Sequence, residues 1–257
     1  MPELPDLQVF SHNLNKLFKG KTLEKIEVPN HKKLNVPVTK LKDTLEGSKL
    51  KNVKRAGKEL HFEFDNKHVL GIHLMLHGQL QTFDSNKETK YSIIELIFED
   101  NKALVLTDFQ GAATPTLDPA DNNVPDALEI TEGYLTQKLT KTRKPVKSVL
   151  MDQKVVRGIG NAYADEILFD AKLSPFCTAK SIPEAKVKQL VKSIKDVLDD
   201  AEKEIVKARP DIISGEYRDF LKVHLPKHKQ TQSGAEIYQK PIGERKTYYT
   251  DEQELFE

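Results

Sequence analysis

Residues 158–169 read GIGNAYADEILF, the most informative stretch in the chain. Gly160 followed by Asn161 is typical of a tight turn at the start of a helix. At such a start the backbone N–H groups, the helix dipole and the Asn161 amide can hold a phosphate. The alternative is a glycine-rich turn between packed helices, with Asn161 as a plain N-cap. Taken alone, the stretch leaves both interpretations open.

The chain begins with MPELPD, about 155 residues before that stretch. Methionine before a small residue such as Pro2 is usually trimmed, and trimming would leave a secondary amine. An α-amino group has a pKa of roughly 8, so a useful fraction is neutral at physiological pH. Such an amine can attack C1′ of a nucleoside and form an iminium, with Glu3 shuttling protons. Alternatively, Pro2 and Pro5 merely stiffen a helix entry.

Composition limits the possible classes of protein. The chain has 257 residues, enough for one large domain or two ordinary ones, and 38% are hydrophobic. Its net charge is +1, so charge alone does not indicate a nucleic-acid binder. A single cysteine, Cys177, excludes an intramolecular disulfide and a multi-cysteine zinc site. No run approaches the ~18 apolar residues of a membrane span, so we expect an intracellular protein with no membrane partner.

Residue patterns predict strands in the first half. Residues 5–18 are predicted to form a helix that Gly20 ends, and residues 22–28 a weakly patterned strand. Further strands are predicted around Leu60, Phe62 and Phe64, over 69–76, over 93–98 and over 103–106. Short strands at this spacing favour an antiparallel sandwich or barrel.

The second half has a helical pattern after a linker over 117–127. Helices are predicted from Pro145 to Met151 and over 161–171. Ser181 and Glu184 form a candidate capping box for a long amphipathic helix that Pro210 ends. Near the end of the chain, two short strands are predicted over 236–238 and 246–249.

Together, MPELPD and GIGNAYADEILF resemble the formamidopyrimidine-DNA glycosylase / endonuclease VIII family, over essentially the whole chain. The resemblance implies an α+β multidomain protein. We expect an N-terminal antiparallel β-sandwich over 1–117, a helix–two-turn–helix domain over 128–222 and a C-terminal β-hairpin finger over 223–257.

The family pattern carries over to individual residues of this chain. Pro2 matches the nucleophile, Glu3 the acid/base residue, and Lys58 a strand lysine that contacts phosphate near the lesion. Asn161 and Arg245 match residues that bind DNA. Glu166 matches the glutamate in the helix that begins at the family's asparagine. Its role would be either to contact DNA or to serve as a structural carboxylate. Glu244 interrupts the glycine pair that precedes the arginine in the family.

The finger departs from many relatives, which close it with four cysteines on zinc. The aligned residues are not a usable zinc set; they are Gln230, Ser233, Thr250 and Gln253. His224 and His228 are expected to face DNA or solvent. The resemblance is therefore to a zincless finger with no metal and no cofactor, which packing of Ile237, Tyr238, Tyr248 and Tyr249 would hold.

The loop residues that fill the gap of a flipped nucleotide also differ. Leu76, beside Met75, stands where relatives often use methionine; the alternative is a core leucine. The arginine-bearing loop of relatives is shortened here to DFQG, so Phe109 or Gln110 would substitute, or the orphaned base goes unread. The segment between Pro210 and Phe220 is also shorter than in relatives. By the resemblance, a short segment favours oxidised pyrimidines, ring-opened purines or hydantoins as the bases removed.

The resemblance therefore implies a monomeric base-excision-repair enzyme of the cytoplasm and nucleoid. It would act on double-stranded DNA with damaged bases or abasic sites, as glycosylase and as lyase by β,δ-elimination. One alternative is a weak or inactive binder of damaged DNA that kept the fold. Another is an unrelated structural protein.

Overall fold

The computed structural model describes residues 1–84 and 89–257, and these form two compact units. The sandwich unit comprises 1–122 and 205–216; the helical unit comprises 123–204 and 217–257. The three-part division expected from the sequence stays a prediction. None of the helices in the described ranges is long and apolar enough to cross a membrane.

The sandwich unit holds two four-stranded antiparallel sheets within the described residues. The first sheet has the order β2-β3-β4-β8 and the second β1-β6-β7-β5. The strands are β1 (Leu23–Glu27), β2 (Leu50–Ala56), β3 (Glu59–Phe64), β4 (Val69–His73), β5 (Gln79–Asp84), β6 (Ser92–Phe98), β7 (Lys102–Thr107) and β8 (Thr114–Leu117). The predicted antiparallel sandwich is confirmed.

One hydrophobic core fills the sandwich unit. Helix α1 (Leu4–Phe18) buries Leu7, Phe10 and Leu14 at helical spacing, and Phe18 packs on Phe98 at a centroid distance of 4.8 Å. Strand β3 contributes every second residue, because alternate side chains point to the same face. A short helix, α2 (Val38–Leu45), buries Leu41 and Leu45.

The helical unit contains the finger and the remaining helices, except for the last four residues of α6, which belong to the sandwich unit. The helices are α3 (Glu132–Leu139), α4 (Val146–Met151), α5 (Asn161–Asp170) and α6 (Glu184–Ala208), with short 3₁₀ turns at Ala127–Glu129 and Ala179–Ser181. The finger is the antiparallel hairpin of β9 (Tyr238–Ile242) and β10 (Arg245–Tyr249). The capping box predicted at Ser181 is wrong, since Ser181 lies in a 3₁₀ turn and α6 begins after Pro183.

Candidate functional site

The N-terminus is held by the first turn of α1. Glu3 is the N-cap residue, and its N–H donates to Asp6 Oδ2 at 2.8 Å while its own carboxylate accepts the Asp6 N–H. This reciprocal capping box fixes the backbone at Pro2 and Glu3. Pro2 is buried and Glu3 is 4% exposed. The amine of Met1, which precedes them, pairs with Glu216.

Lys58 lies in the two-residue turn of the β2–β3 hairpin, not within a strand as the resemblance implied. Ala56 pairs with Glu59 across the turn, and Gly57 supplies the positive φ of 62° that the turn needs. Lys58 is half-buried.

The hairpin tip and the start of α1 lie at the same end of the sandwich unit. Asn15, near the end of α1, exchanges two hydrogen bonds with Val53. Nearer the start of α1, Gln8 Oε1 accepts a hydrogen bond from Arg55 Nε at 2.9 Å. Since β2 continues from Arg55 towards the turn, Lys58 lies towards the end of α1 that carries Pro2 and Glu3.

His73 is a residue of this region that sequence reasoning missed. It pairs with Glu59 across β3 and β4. Burial lowers its pKa, with the Lys58 charge acting the same way and the Glu59 carboxylate opposing. Its Nδ1 accepts the Met75 N–H at 3.0 Å, which requires that nitrogen to be unprotonated. Only strand register brings His73 beside Lys58, and no sequence pattern indicates that register.

The two gap-filling candidates are exposed apolar side chains. Leu76 is 55% exposed, so the interpretation as a core leucine is wrong. The predicted strand over 69–76 ends at His73, and Leu76 lies in the loop that follows. Phe109 is 60% exposed. Its neighbour Gln110 is tied to the loop by its N–H, which donates to Asp108 Oδ1 at 2.9 Å.

In the helical unit, the structure brings Asn161 and Arg245 together. Gly160 is the N-cap of α5 and Asn161 its first residue, so the interpretation of Asn161 as a plain N-cap is wrong. Asn161 Nδ2 donates to the Lys246 carbonyl at 3.1 Å. Arg245, the preceding residue, is exposed and follows directly on the turn of the finger. Two candidates 84 positions apart in the sequence are therefore close neighbours in the helical unit.

Glu166 has a structural environment. It is 4% exposed, and its carboxylate accepts the N–H groups of Lys222, Val223 and His224 at 2.7–2.8 Å. Burial raises the pKa of Glu166, and these donors oppose the rise. An anionic group with both oxygens occupied does not attract a phosphate. The geometry favours the structural alternative for this residue.

The finger is held by polar contacts as well as by packing. Tyr248 packs with Phe169, Val223 and Ile237 in a small core. Two of the residues aligned with zinc ligands are buried: Gln253 accepts the Thr250 N–H at 2.9 Å and donates to the Leu173 carbonyl at 2.8 Å. Within the described ranges, no cluster of three or more His, Cys, Asp or Glu side chains could hold a metal ion.

The expectation that His224 faces DNA or solvent is wrong. Its Nδ1 lies 2.8 Å from Oδ2 of the buried Asp165, and its ring packs edge-on against Tyr248 at 4.8 Å. His228 is exposed. The first histidine therefore belongs to the internal support of the finger.

A cleft of about 550 Å³ in the helical unit is lined by five acidic side chains and two lysines. Asp196, Asp200 and Glu204 follow one another at one-turn spacing along α6, and Asp170 faces them from α5. Carboxylates repel phosphates. The acidic excess of this cleft therefore does not suit a nucleic-acid backbone.

Comparison with known proteins finds two domains of one enzyme family in this chain. The formamidopyrimidine-DNA glycosylase N-terminal domain matches residues 1–114, and the H2TH domain of the same enzyme matches residues 123–208. The formamidopyrimidine-DNA glycosylase of Wolbachia pipientis subsp. Culex pipiens is 34% identical over 212 residues, 78% of each chain. That of Listeria monocytogenes is 31% identical over 214 residues, again 78% of each.

A solved structure is similar along nearly the whole length. The complex of the Lactococcus lactis Fpg (MutM) with DNA containing FAPY-dG superposes with a TM-score of 0.87 at 25% identity, covering 98% of this chain and 100% of that one. Fold and matched domains define a DNA glycosylase of base excision repair. The chain belongs to the formamidopyrimidine-DNA glycosylase family.

Proposed function

We propose that this protein is a bifunctional DNA glycosylase and AP lyase whose nucleophile is the amine of Pro2 after Met1 removal. The observation that carries the proposal is the capping box at Glu3 and Asp6, which fixes the Pro2–Glu3 backbone at the end of α1 nearest the Lys58 turn. Reactive groups held by a rigid element are preorganised.

The chemistry follows from the groups present. The Pro2 nitrogen attacks C1′, and the bond to the base breaks as the base takes up a proton. The nitrogen gives its own proton to Glu3, and the C1′–O4′ bond then opens as Glu3 passes a proton to the sugar oxygen, which leaves an iminium at C1′. The resulting iminium acidifies the C2′ proton. Its removal expels the 3′ phosphate by β-elimination, and a second elimination expels the 5′ phosphate. Lys58 contributes a positive charge beside the phosphate of the reacting nucleotide.

The remaining site residues would bind the duplex. Asn161 and Arg245 suit contacts with phosphates, because an amide and a guanidinium donate hydrogen bonds to phosphate oxygens. Leu76 would fill the gap left by the flipped nucleotide, with Phe109 beside the orphaned base. Glu166 would act indirectly, by holding residues 222–224 in place.

The substrate would be double-stranded DNA with oxidised bases or abasic sites. The protein would act on it inside the cell, as a monomer. The solved relative from Lactococcus lactis is bound to FAPY-dG DNA, which supports this substrate class. The short segment between Pro210 and Phe220 favours oxidised pyrimidines, ring-opened purines or hydantoins. One anchor of this segment is Ser214, whose hydroxyl accepts the Leu80 N–H at 3.0 Å.

Borohydride trapping tests the mechanism directly. Protein with a verified Pro2 N-terminus is incubated with a duplex containing an abasic site or 5-hydroxyuracil, then reduced. We expect a covalent adduct, because reduction fixes the iminium. Pro2→Gly should bind the duplex and lose most strand cleavage. Pro5→Ala, in the first turn of α1, is the matched proline control and should still be trapped.

The same experiment separates the enzyme from a damaged-DNA binder that has lost turnover. Tight binding to the abasic duplex without any adduct would establish the binder. Unchanged cleavage by Pro2→Gly would show that another residue is the nucleophile.

A further inference from the structure

The segment that follows α6 belongs to the sandwich unit and is tied to it by specific contacts. We call residues 209–216 the return segment. Ile212 packs against the core of the unit, and its carbonyl accepts a hydrogen bond from Asn13 Nδ2 of α1 at 2.9 Å. The Ser214 hydroxyl accepts the Leu80 N–H at 3.0 Å. These contacts fix the path of the return segment beside α1.

The return segment ends with a carboxylate at the N-terminal amine. Gly215 has a positive φ of 83°, a conformation that favours glycine, and it turns the chain after Ser214. Glu216 Oε1 then accepts a hydrogen bond from the Met1 ammonium, with which it forms an ion pair. The two residues are 215 positions apart in the sequence, so only the packing of the return segment brings them together.

The Pro2 nitrogen is one peptide unit away from this contact. Consecutive Cα atoms are about 3.8 Å apart, and consecutive backbone nitrogens are no farther apart than that. Removal of Met1 makes the Pro2 nitrogen the terminal amine, while the capping box at Glu3 keeps its backbone in place. The Glu216 side chain is 35% exposed, and rotation about its own bonds covers the remaining distance. The carboxylate therefore reaches the nitrogen of the processed chain.

Other charged side chains lie at the same end of the sandwich unit. Glu3 and Asp6 of α1 are 4% and 1% exposed, and the carboxylate of each accepts the N–H of the other. Arg55 and Lys58 of the β2–β3 hairpin are positive and repel an ammonium. Glu216 differs from the two buried carboxylates because it is exposed, so it can bind the amine and exchange protons with solvent.

We propose that Glu216 is a positioning residue of the reaction, whose carboxylate binds the ammonium of Pro2 and holds the nucleophilic nitrogen in place. The inference rests on the proposed function, in which Pro2 is the nucleophile. The ammonium of an N-terminal proline has two N–H groups. Glu216 binds one of them, takes up its proton as the amine becomes neutral and releases that proton to solvent. The other N–H stays on the nitrogen until Glu3 accepts its proton after the attack.

The ion pair should affect the pH dependence of the reaction as well as its rate. A neighbouring negative charge favours the ammonium form, so without Glu216 the amine should become neutral at lower pH. A nitrogen that is no longer held should also attack more slowly at every pH, because its orientation is lost. A merely structural role of Glu216 would leave the pH profile unchanged.

The test uses protein with a verified Pro2 N-terminus, in excess over a duplex with an abasic site. The rate of trapping by cyanoborohydride is measured between about pH 5.5 and about pH 9. Glu216→Gln should lower the rate on the plateau about tenfold and move the midpoint of the acid limb down by about half a pH unit. Glu216→Asp keeps the charge on a shorter side chain, so it should keep the midpoint with an intermediate rate. Glu24→Gln, an exposed glutamate on β1, is the matched control and should change neither.

A second measurement detects the contact without DNA. Acetic anhydride reacts with neutral amines, so acetylation of Pro2 near neutral pH, followed by peptide mass spectrometry, reports the neutral fraction. Glu216→Gln should be acetylated about threefold faster than wild type, and Glu24→Gln at the wild-type rate. Affinity for a duplex with a tetrahydrofuran abasic analogue, measured by fluorescence anisotropy, should stay within about twofold of wild type in Glu216→Gln.

The outcomes separate this inference from the proposed function. An unchanged midpoint or acetylation rate in Glu216→Gln, or an equal change in Glu24→Gln, would overturn the role of Glu216. Loss of duplex affinity with an unchanged trapping rate would overturn it as well, because Glu216 would then contact DNA. Absence of an adduct in wild type would instead overturn the lyase mechanism, and the acetylation rates would still show whether Glu216 binds the amine.

Discussion

The ammonium group of Lys147 lies 2.7 Å from Oδ1 of Asp165, and both side chains are almost completely buried. The other carboxylate oxygen accepts the Tyr248 N–H at 3.0 Å and lies 2.8 Å from His224 Nδ1. Lys147 also donates to Thr247 Oγ1 at 2.9 Å. One ion pair thus joins α4 and α5 to strand β10 of the finger, in a chain whose finger contains no cysteine.

Replacing Lys147 by methionine should strongly destabilise the helical unit. The substitution keeps the volume but leaves the Asp165 carboxylate buried without its counter-ion, which typically costs about 3–5 kcal/mol. Urea denaturation followed by circular dichroism measures the loss. Lys172→Met is the matched control, since its ion pair with Glu252 is exposed and should matter little. The Lys147→Met, Asp165→Leu double variant should recover part of the loss; strictly additive effects would contradict a coupled pair.

Gln253→Leu should also destabilise the finger, by about 1–3 kcal/mol. The substitution leaves the buried Thr250 N–H and Leu173 carbonyl without partners. Gln239→Leu, an exposed glutamine on β9, is the control. Thermal unfolding measures the loss of stability. The melting temperature is determined with and without EDTA. A chelator-dependent melting temperature would show that metal, rather than these hydrogen bonds, holds the hairpin.

The sequence predicts the presence of helices and strands better than it predicts where they end. It predicts buried polar contacts least well. The spacing of Leu7, Phe10 and Leu14 is enough to predict α1, because one apolar face must be buried. The apolar run to Leu76 overstates β4, because apolar side chains in an exposed loop look like core residues in the sequence.

Polar interiors carry even less sequence signal. Lys147 and Asp165 look like ordinary surface charges of two helices, and only tertiary packing makes them partners. His73 becomes significant only through its register opposite Glu59. By contrast, the Pro2, Glu3 and Asn161 hypotheses depend on short local motifs that can be read without the fold.

Stability of the sandwich unit should fall in mild acid because of His73. Burial lowers the pKa of this ring, so the folded protein keeps it neutral where the unfolded chain would take up a proton. The stability it contributes is present above about pH 6.5 and is lost as pH falls through the lowered pKa. His73→Asn keeps an acceptor two residues before Met75 and cannot titrate, so its melting temperature should change less between about pH 7.5 and about pH 5. An equal change in His73→Asn would assign the acid sensitivity to another group.

Arg245→Ala should weaken binding to abasic DNA at every salt concentration and reduce its salt dependence. The side chain is exposed at the finger turn, next to the Lys246 carbonyl that Asn161 holds, so its charge is available to a phosphate. Removing one phosphate contact reduces the slope of log K against log salt by about 1. Arg245→Lys should keep most of the slope and lose affinity, because an ammonium cannot bind phosphate through two parallel hydrogen bonds. Lys203→Ala, which removes a cation paired with Asp200 in the acidic cleft, is the charge-matched control and should leave the slope unchanged. If both alanine variants changed the slope equally, the salt dependence would reflect net charge rather than a contact at the finger.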